Sequence, residues 1–357
     1  MPLSAVDAIQ PAIEQAKRQL LQPFRFGQWI RLALVGLLSG ELGSGGGCNV
    51  NVPANHQDKG TQQFLSSLPP ELLSHPAILI ALVLLLFIAG FTLLLAFMYL
   101  SSVMRFILFD SVVARECRIR EGWRRRKREG LQLFAWQIVL SALSFTAFVV
   151  LIGIPLGMAW IFGWFKNPKE HLLPLILGGI GLFLIFLALA LMMAVVHVMT
   201  KDFVVPQMAL ESLSAMEGWR RLWPRVKGEK TGYAGYIGMK IVLAIGAGVA
   251  IGIVSLIVII LLLLPVGGVT VIAVLAGKAA GWTWNLYTIS LAVVAGLFVL
   301  TLLIFVVSFL NVPGILFFPA YSMHFFAGRY QPLAQVLWPA PPAPEPPSLP
   351  PAPQHLA

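Results

Sequence analysis

Four ionisable side chains border the long apolar runs of this sequence: Asp110, His197, Asp202 and Lys240. Ionisable groups at such positions can form a proton or ion relay. All four lie near the ends of apolar runs, where they can also reach lipid headgroups or water, so we expect ion pairs at the membrane interface instead. Asp110 would pair with Arg105 or with an arginine of the following loop, and Asp202 with Lys201 or Lys240.

The apolar runs themselves carry no charge at mid-depth, which argues against a charge-coupled transporter of the usual kind. The hydrolase signatures Gly-x-Ser-x-Gly and His-Glu-x-x-His are absent, and no paired carboxylates occur outside the loops. The two cysteines, Cys48 and Cys117, form neither a metal-binding spacing nor a disulfide framework. The sequence therefore predicts a protein that is not an enzyme and that binds no cofactor or metal.

A repeated polar segment supplies the strongest binding candidate. The segment 105–128 has an echo at 201–221: a shift of 96 positions places residues 105–125 on it without a gap, and Glu-Gly-Trp-Arg-Arg occurs in both copies, at 121–125 and 217–221. Read as one helix, the second copy places Val205, Met208, Met216, Trp219 and Trp223 on a single face, which predicts an interfacial amphipathic helix.

The basic ends of these two segments are candidate sites for anionic lipid headgroups, because a basic residue near the membrane surface contributes about 1 kcal/mol. An equally simple interpretation is that the charges only set the membrane topology. The candidate residues are Trp123, Arg124, Arg125, Arg126, Lys127, Arg128, Trp219, Arg220 and Arg221.

Composition determines which elements must position these residues. Of the residues, 58% are hydrophobic and only 11% are charged, whereas an average soluble domain is about 25% charged. Several uncharged runs exceed the ~20 residues that a helix needs to cross the hydrocarbon core. The sequence predicts an all-α, polytopic membrane helix bundle with about six transmembrane helices, at residues 24–40, 77–104, 132–162, 172–199, 233–264 and 286–310.

Charge orients these spans. If the first span starts inside, twenty of the 25 lysines and arginines fall on the inner side and four on the outer side, as the positive-inside rule requires. This predicts a multi-pass protein of the cell inner (cytoplasmic) membrane with both termini cytoplasmic, Cys48 outside and Cys117 inside. The net charge of +10 is explained by the same rule, so we expect no nucleic-acid partner.

The chain divides into three regions. Residues 1–27 form a cytoplasmic amphipathic segment, residues 28–338 a single transmembrane domain, and residues 339–357 a tail with nine prolines between positions 339 and 353, which predicts disorder. Within the domain, the apolar and polar segments predict three tandem hairpins of roughly 100 residues. Each hairpin is followed by a cytoplasmic amphipathic helix. Residues 24–40 and 266–281 could span, re-enter or lie at the surface.

A face of small residues on the fifth predicted span, Ala244, Gly248 and Gly252, is typical of close helix packing. The contact could lie inside the chain or between copies, so an oligomer remains open.

These features resemble a known group. Three features are similar to those of uncharacterised bacterial multi-pass proteins. They are a charged residue with Phe at the exit of a span (as in KDFVVP, residues 201–206), a following amphipathic helix that ends in Trp and basic residues, and an aromatic residue at the start of the next span. They also resemble the membrane domain that accompanies some glycerophosphodiester phosphodiesterases. The resemblance covers roughly residues 20–337 and implies no catalysis, because the hydrolase of those proteins is a separate soluble barrel.

Two functions follow as hypotheses. The first is a non-enzymatic membrane module that organises membrane lipids with anionic headgroups, or a protein partner, through its cytoplasmic loops. The alternative is a transporter or channel for a neutral or lipidic solute that moves between the hairpin repeats.

Overall fold

A computed structural model describes residues 3–41, 76–165, 169, 171–281 and 286–339. Cys48, its Gly-rich loop and the proline-rich tail beyond residue 339 lie outside these ranges, so the predictions for them are untouched. The helices of the described part are α1 (Ile9–Leu21), α2 (Phe26–Ser39), α3 (Pro76–Ala114), α4 (Ile119–Phe148), α5 (Ile154–Ile161), α6 (Leu172–Met199), α7 (Val205–Glu211), α8 (Ala215–Gly228), α9 (Lys230–Ala279), α10 (Leu286–Leu310), α11 (Val312–Ala327) and α12 (Gln331–Leu337).

The predicted all-α membrane bundle is confirmed. Five helices in the described ranges are long and apolar enough to cross a membrane: Ile80–Ala114, Ile119–Ile161, Leu172–Glu211, Lys230–Ala279 and Tyr287–Leu310. Their apolar windows are at most 6% buried, which suits contact with lipid. The predicted first span at residues 24–40 contains only the 14-residue α2, whose ~21 Å length falls short of the ~30 Å hydrocarbon core.

The fifth predicted span is longer than the sequence suggested. We expected it to close at Leu264 before Pro265-Val-Gly-Gly, but α9 runs unbroken from Lys230 to Ala279, with Pro265 inside it. A proline inside a spanning helix removes one backbone hydrogen bond without ending the helix, because local adjustments and neighbouring groups can satisfy the freed carbonyl. The apolar patch 269–276 is therefore the end of α9 and no separate element.

The two copies of the repeated segment break at nearly the same place, one residue apart in the alignment. Arg115 after α3 and Ser212 after α7 both adopt left-handed backbone conformations, with φ of 57° and 53°. The Ser214 hydroxyl then accepts the Glu217 N–H at 3.3 Å and caps the start of α8. The chain changes direction at each break, so neither copy is one continuous helix.

This break corrects the predicted apolar face of the second copy. Met216 and Trp223, placed on that face by a continuous helix, are 63% and 53% exposed. Gly218 and Leu222 are buried in their place, because the left-handed residue Ser212 rotates α8 relative to α7.

Buried residues gather at one end of the bundle, which we call the polar-end layer. It consists of α1, α2, α7, α8, α11 and α12 together with the adjoining ends of α3, α4, α6 and α9. Its centre is an aromatic cluster in which Phe203 and Tyr236 pack against Phe325 of the almost fully buried α11, with ring centroids 4.6–6.0 Å apart. The Tyr321 hydroxyl donates to the Ala5 carbonyl at 2.9 Å and joins the N-terminal segment to α11.

Candidate functional site

A cavity lined by charged side chains lies within the polar-end layer. Its volume is about 30 Å³ inside and about 380 Å³ when its open mouth is included. We call it the charged cavity; its lining residues are Glu41, Arg105, Leu108, Phe109, Lys201, Asp202, Val205, Pro206, Pro319, Ser322 and Met323.

Local backbone features bring the charged residues of this cavity together. Gly40 ends α2 in a left-handed conformation, with φ of 77°, and so turns the chain at Glu41. Lys201 and Asp202 lie in a π-helical turn, Thr200–Val204, between α6 and α7. Such turns insert an extra residue into a helix and are frequent at functional sites.

Two ion pairs form the buried base of the site. Lys201 Nζ contacts Glu41 Oε2, and Lys240 Nζ contacts Asp202 Oδ2. The Tyr236 hydroxyl donates a second hydrogen bond to Asp202 Oδ2 at 2.9 Å. The carboxylate side chains of Glu41 and Asp202 are only 2% and 3% exposed, and burial of such charges is tolerated only when they are paired and hydrogen-bonded.

The electrostatic environment keeps Glu41 ionised. Burial by itself would raise the pKa of the Glu41 carboxyl, but the adjacent Lys201, and more weakly Arg105 and Lys240, hold this pKa below its ordinary value. Glu41 therefore contributes a permanent negative charge to the cavity.

Arg105 differs from the two lysines of the site. Its Nε donates to the Ser39 carbonyl at 3.4 Å, and its Nη2 lies 3.4 Å from His197 Nε2. Both distances are longer than a typical N–H···O bond of ~2.9 Å. No carboxylate of the described ranges lies within ion-pair distance of Arg105. Among the described residues the group thus combines three cations, Arg105, Lys201 and Lys240, with two carboxylates.

The predicted pairings of the ionisable residues are confirmed. Asp202 pairs with Lys240, one of its two expected partners. Asp110 pairs with Arg126 of the following loop through two hydrogen bonds of 2.7 Å each. Arg126 Nη1 also donates to the Ala209 carbonyl at 2.7 Å, so this pair joins α3, α4 and α7. His197 borders the charged cavity through Arg105.

The basic run of the first copy is divided by this pairing. Arg124, Arg125, Lys127 and Arg128 are exposed on the first turns of α4. Arg126, predicted to belong to the same headgroup site, has a side chain only 6% exposed and faces Asp110. We call the four exposed residues the basic face.

The aromatic residues of both copies lie partly inside the polar-end layer. Trp123 is half-buried and meets Tyr99 edge to face, with centroids 6.0 Å apart. Trp219 is also half-buried, and its Nε1 donates to Thr200 Oγ1 at 3.1 Å. These contacts fix the positions of α4 and α8 against the ends of α3 and α6.

The basic end of the second copy, Arg220 and Arg221, has fewer unpaired charges than the basic face among the described residues. Arg220 is exposed. Arg221 pairs with Glu211 and lies 3.6 Å from Glu217, so neighbouring carboxylates offset its charge.

The predicted packing face on α9 is only partly covered. Ala244 and Gly248 are half-buried, whereas Gly252 is exposed and a methyl group added to it would meet no atom within 4 Å. A neighbour of Gly252 within the described chain is therefore absent.

Sequence reasoning missed the charged cavity as a unit. A signal for it existed, because Arg105 and Lys201 occupy the same position in the two copies of the repeat, 96 residues apart. Glu41 directly precedes a Gly-rich stretch, and nothing in the local pattern indicates its contact with a residue 160 positions away. Within the described ranges, no cluster of His, Cys, Asp or Glu could hold a metal ion.

Comparisons with known proteins give one match. No curated protein and no solved structure matches the chain, and the resemblance to the membrane domain of glycerophosphodiester phosphodiesterases stays a prediction. The model of a family of unknown function, DUF7544, matches residues 3–336, which is nearly the whole chain, and the protein therefore belongs to this family.

Proposed function

We propose that this protein is a non-enzymatic, multi-pass module of the cell inner membrane that gathers anionic lipid headgroups at its polar end. The observation that carries the proposal is the basic face: four exposed cations on consecutive turns of α4, a helix that continues directly into an apolar, exposed segment. At about 1 kcal/mol for each basic residue near the surface, the four together supply about 4 kcal/mol of attraction to an anionic leaflet.

The buried Arg126 supports this role. It points away from the other four residues and binds Asp110 and the Ala209 carbonyl. A helix held in this way presents its remaining charges from a fixed position. Little entropy is then lost on the protein side when a lipid headgroup binds.

The orientation proposed for the module follows the distribution of charge. The polar-end layer carries the basic face and the N-terminal helix, and the positive-inside rule assigns such a layer to the cytoplasm. Both termini are then cytoplasmic, and a protein partner would meet the same loops.

Three tandem repeats would account for the nearly equivalent breaks at Arg115 and Ser212. Close packing behind each break supports this reading. A methyl group on Gly122 would lie 3.0 Å from Ile107 Cγ1, and one on Gly218 would lie 2.8 Å from Val204 Cγ1. In both copies the interfacial helix thus packs by a glycine against its own preceding helix.

The test is a measurement of lipid selectivity in reconstituted bilayers. The protein is placed in bilayers that contain a neutral lipid and spin-labelled phosphatidylglycerol, and the motionally restricted fraction of the label is measured by electron spin resonance. The variant R124Q/R125Q/K127Q/R128Q removes the basic face. We expect it to lose most of the selectivity for the anionic label over a neutral one.

A matched control removes four charges from other helices of the polar end. The variant K17Q/R18Q/K227Q/K230Q changes exposed residues of α1, α8 and the start of α9 and should retain most of the selectivity. If the basic-face variant restricts phosphatidylglycerol as strongly as the wild type, the proposal is wrong.

A further inference from the structure

The charge balance of the charged cavity is uneven. Lys201 and Lys240 each contact a carboxylate, which leaves the guanidinium of Arg105 as the cation without an ion-pair partner in the described ranges. A guanidinium keeps its proton at any physiological pH. Counted over the described residues, the site therefore has one more cation than carboxylates.

The surroundings of Arg105 make this excess costly. Arg105 is partly exposed, but Leu108, Phe109, Val205 and Met323 form apolar walls beside it in the cavity. An uncompensated charge in such a place destabilises the fold. An anion from outside the chain would remove the imbalance.

The donors of Arg105 are poorly satisfied by the protein. A guanidinium offers five N–H donors in a planar fork, and the two contacts that the structure gives it are both 3.4 Å long. This fork matches two oxygens of a phosphate group in a bidentate arrangement, which is shorter and stronger than a bond to a neutral acceptor. Lys201, 14% exposed at its side chain, adds a second cation on the cavity wall.

We propose that the charged cavity binds one phosphate-class anion, held by Arg105 with Lys201 beside it on the cavity wall. The phosphate group comes either from a lipid headgroup or from free phosphate. The inference rests on the proposed function only for the lipid source, because the cavity and the basic face share no residue.

The experiment uses the full-length protein in nanodiscs of neutral phosphatidylcholine. Inorganic phosphate is titrated into one set, and a second set contains phosphatidate at a fixed low fraction. Binding of phosphate is measured by calorimetry, and retained phosphatidate is counted by mass spectrometry after mild extraction. The variant R105Q is compared with the wild type and with R124Q, which removes an exposed arginine of the basic face.

We expect one site for each protein molecule in the wild type and in R124Q, with at least tenfold weaker binding in R105Q. Saturable binding of inorganic phosphate identifies a soluble anion, and retention of one phosphatidate without phosphate binding identifies a lipid. Both results support the cavity.

Three results would overturn the inference. They are a wild type that binds neither probe, equal affinity of wild type and R105Q, and equal losses in R105Q and R124Q. If R105Q does not fold, R105K is used, since it keeps the charge but not the fork and should still weaken binding. An R105K affinity equal to that of the wild type then counts against the proposed bidentate site. A loss in R124Q only is a case of the second result, and it would assign the binding to the basic face.

Discussion

At the scale of single residues, side chains of the same type and in the same sequence run differ in their binding partners. Five consecutive basic residues, 124–128, divide into four that are exposed and Arg126, which binds Asp110 at 2.7 Å. The helical repeat of 100° per residue points neighbouring positions in different directions, so the five residues of a contiguous run cannot all lie on one surface. Arg105 and Lys201 show the reverse case, because residues far apart in the sequence line one cavity.

His324 gives a prediction at this scale. It is buried on α11, its Nε2 lies 2.7 Å from Gln15 Oε1, and its Nδ1 has no hydrogen-bond partner within the described chain. Burial lowers the pKa of His324 below its ordinary value of about 6.5. The unfolded chain thus takes up a proton at a higher pH than the folded chain does, so stability is complete above about pH 6.5 and is lost as the pH falls below it.

We therefore expect the free energy of unfolding to fall as the pH drops below about 6.5, by at most ~1.4 kcal/mol for each pH unit from this one proton. The variant H324Q keeps a donor towards Gln15 but cannot titrate, and it should show a smaller slope. Thermal unfolding of detergent-solubilised protein at several pH values measures this difference. An unchanged slope in H324Q would contradict the assignment, and the range above pH 7 serves as the internal control.

At the scale of elements, close approach of helices depends on glycines within the polar-end layer. α2 packs against α11 where Gly36 faces Ile315, and a methyl group on Gly36 would lie 2.8 Å from Ile315 Cγ1. Gly130 of α4 faces α3 in the same way, with Val103 Cα only 3.0 Å from an added methyl group. The same residue type on the apolar part of α9, such as Gly252, meets no neighbour within 4 Å.

The substitution G36A tests this contact. Overpacking of a dense core costs about 1–3 kcal/mol, so G36A should lower the stability of the wild type by that amount. In the background I315A, which removes the side-chain atoms that would clash, the same change should cost little, and a double-mutant cycle measures the coupling.

G252A is the matched control for a glycine in a helix without close neighbours, and we expect it to be neutral or slightly stabilising, since Ala favours helix over Gly by about 1 kcal/mol. Equal effects of G36A in the two backgrounds would show that Ile315 does not limit this packing.

At the scale of the whole molecule, one layer holds the fold together and the long helices extend from it. The polar-end layer contains the buried aromatic cluster and the ion pairs, whereas the apolar windows of the spanning helices are at most 6% buried. This arrangement suits a protein whose apolar surface is covered by lipid, since lipid removes the need for a second core. α9 alone is ~75 Å long, given 50 residues at 1.5 Å each, and only its first turns lie in the layer.

Orientation of the layer can be measured with introduced cysteines. Cys117 is only 3% exposed, so its own labelling would not report sidedness. In a background of C48S and C117A, K17C lies on the exposed surface of α1 at the polar end, and K278C lies at the far end of α9. A membrane-impermeant maleimide should label K278C on intact cells and K17C only after permeabilisation. Labelling of K17C on intact cells would reverse the proposed orientation.

The sequence by itself determined the class of the protein and limited the partners of Asp110 and Asp202 to a few alternatives, between which the structure decided. Long uncharged runs have no alternative to helices in lipid, and an aspartate near a basic loop has few partners besides its cations, so the candidate partners of Asp110 and Asp202 were predictable. The extent of α9 was not predictable. A proline usually ends a helix in a soluble protein, but a membrane helix can continue through it.

Only the tertiary structure decided the charged cavity. Its walls come from Glu41 after α2, from α3, from the π-helical turn at 200–204, from α7 and from α11. Contacts between such distant segments leave no periodic trace in the sequence. The left-handed conformations of Arg115 and Ser212 were also not predictable from the sequence. A single change of φ redirects the helix that follows, and neither residue type indicates such a change. Packing and backbone direction therefore determined the site, whereas hydropathy determined the fold class.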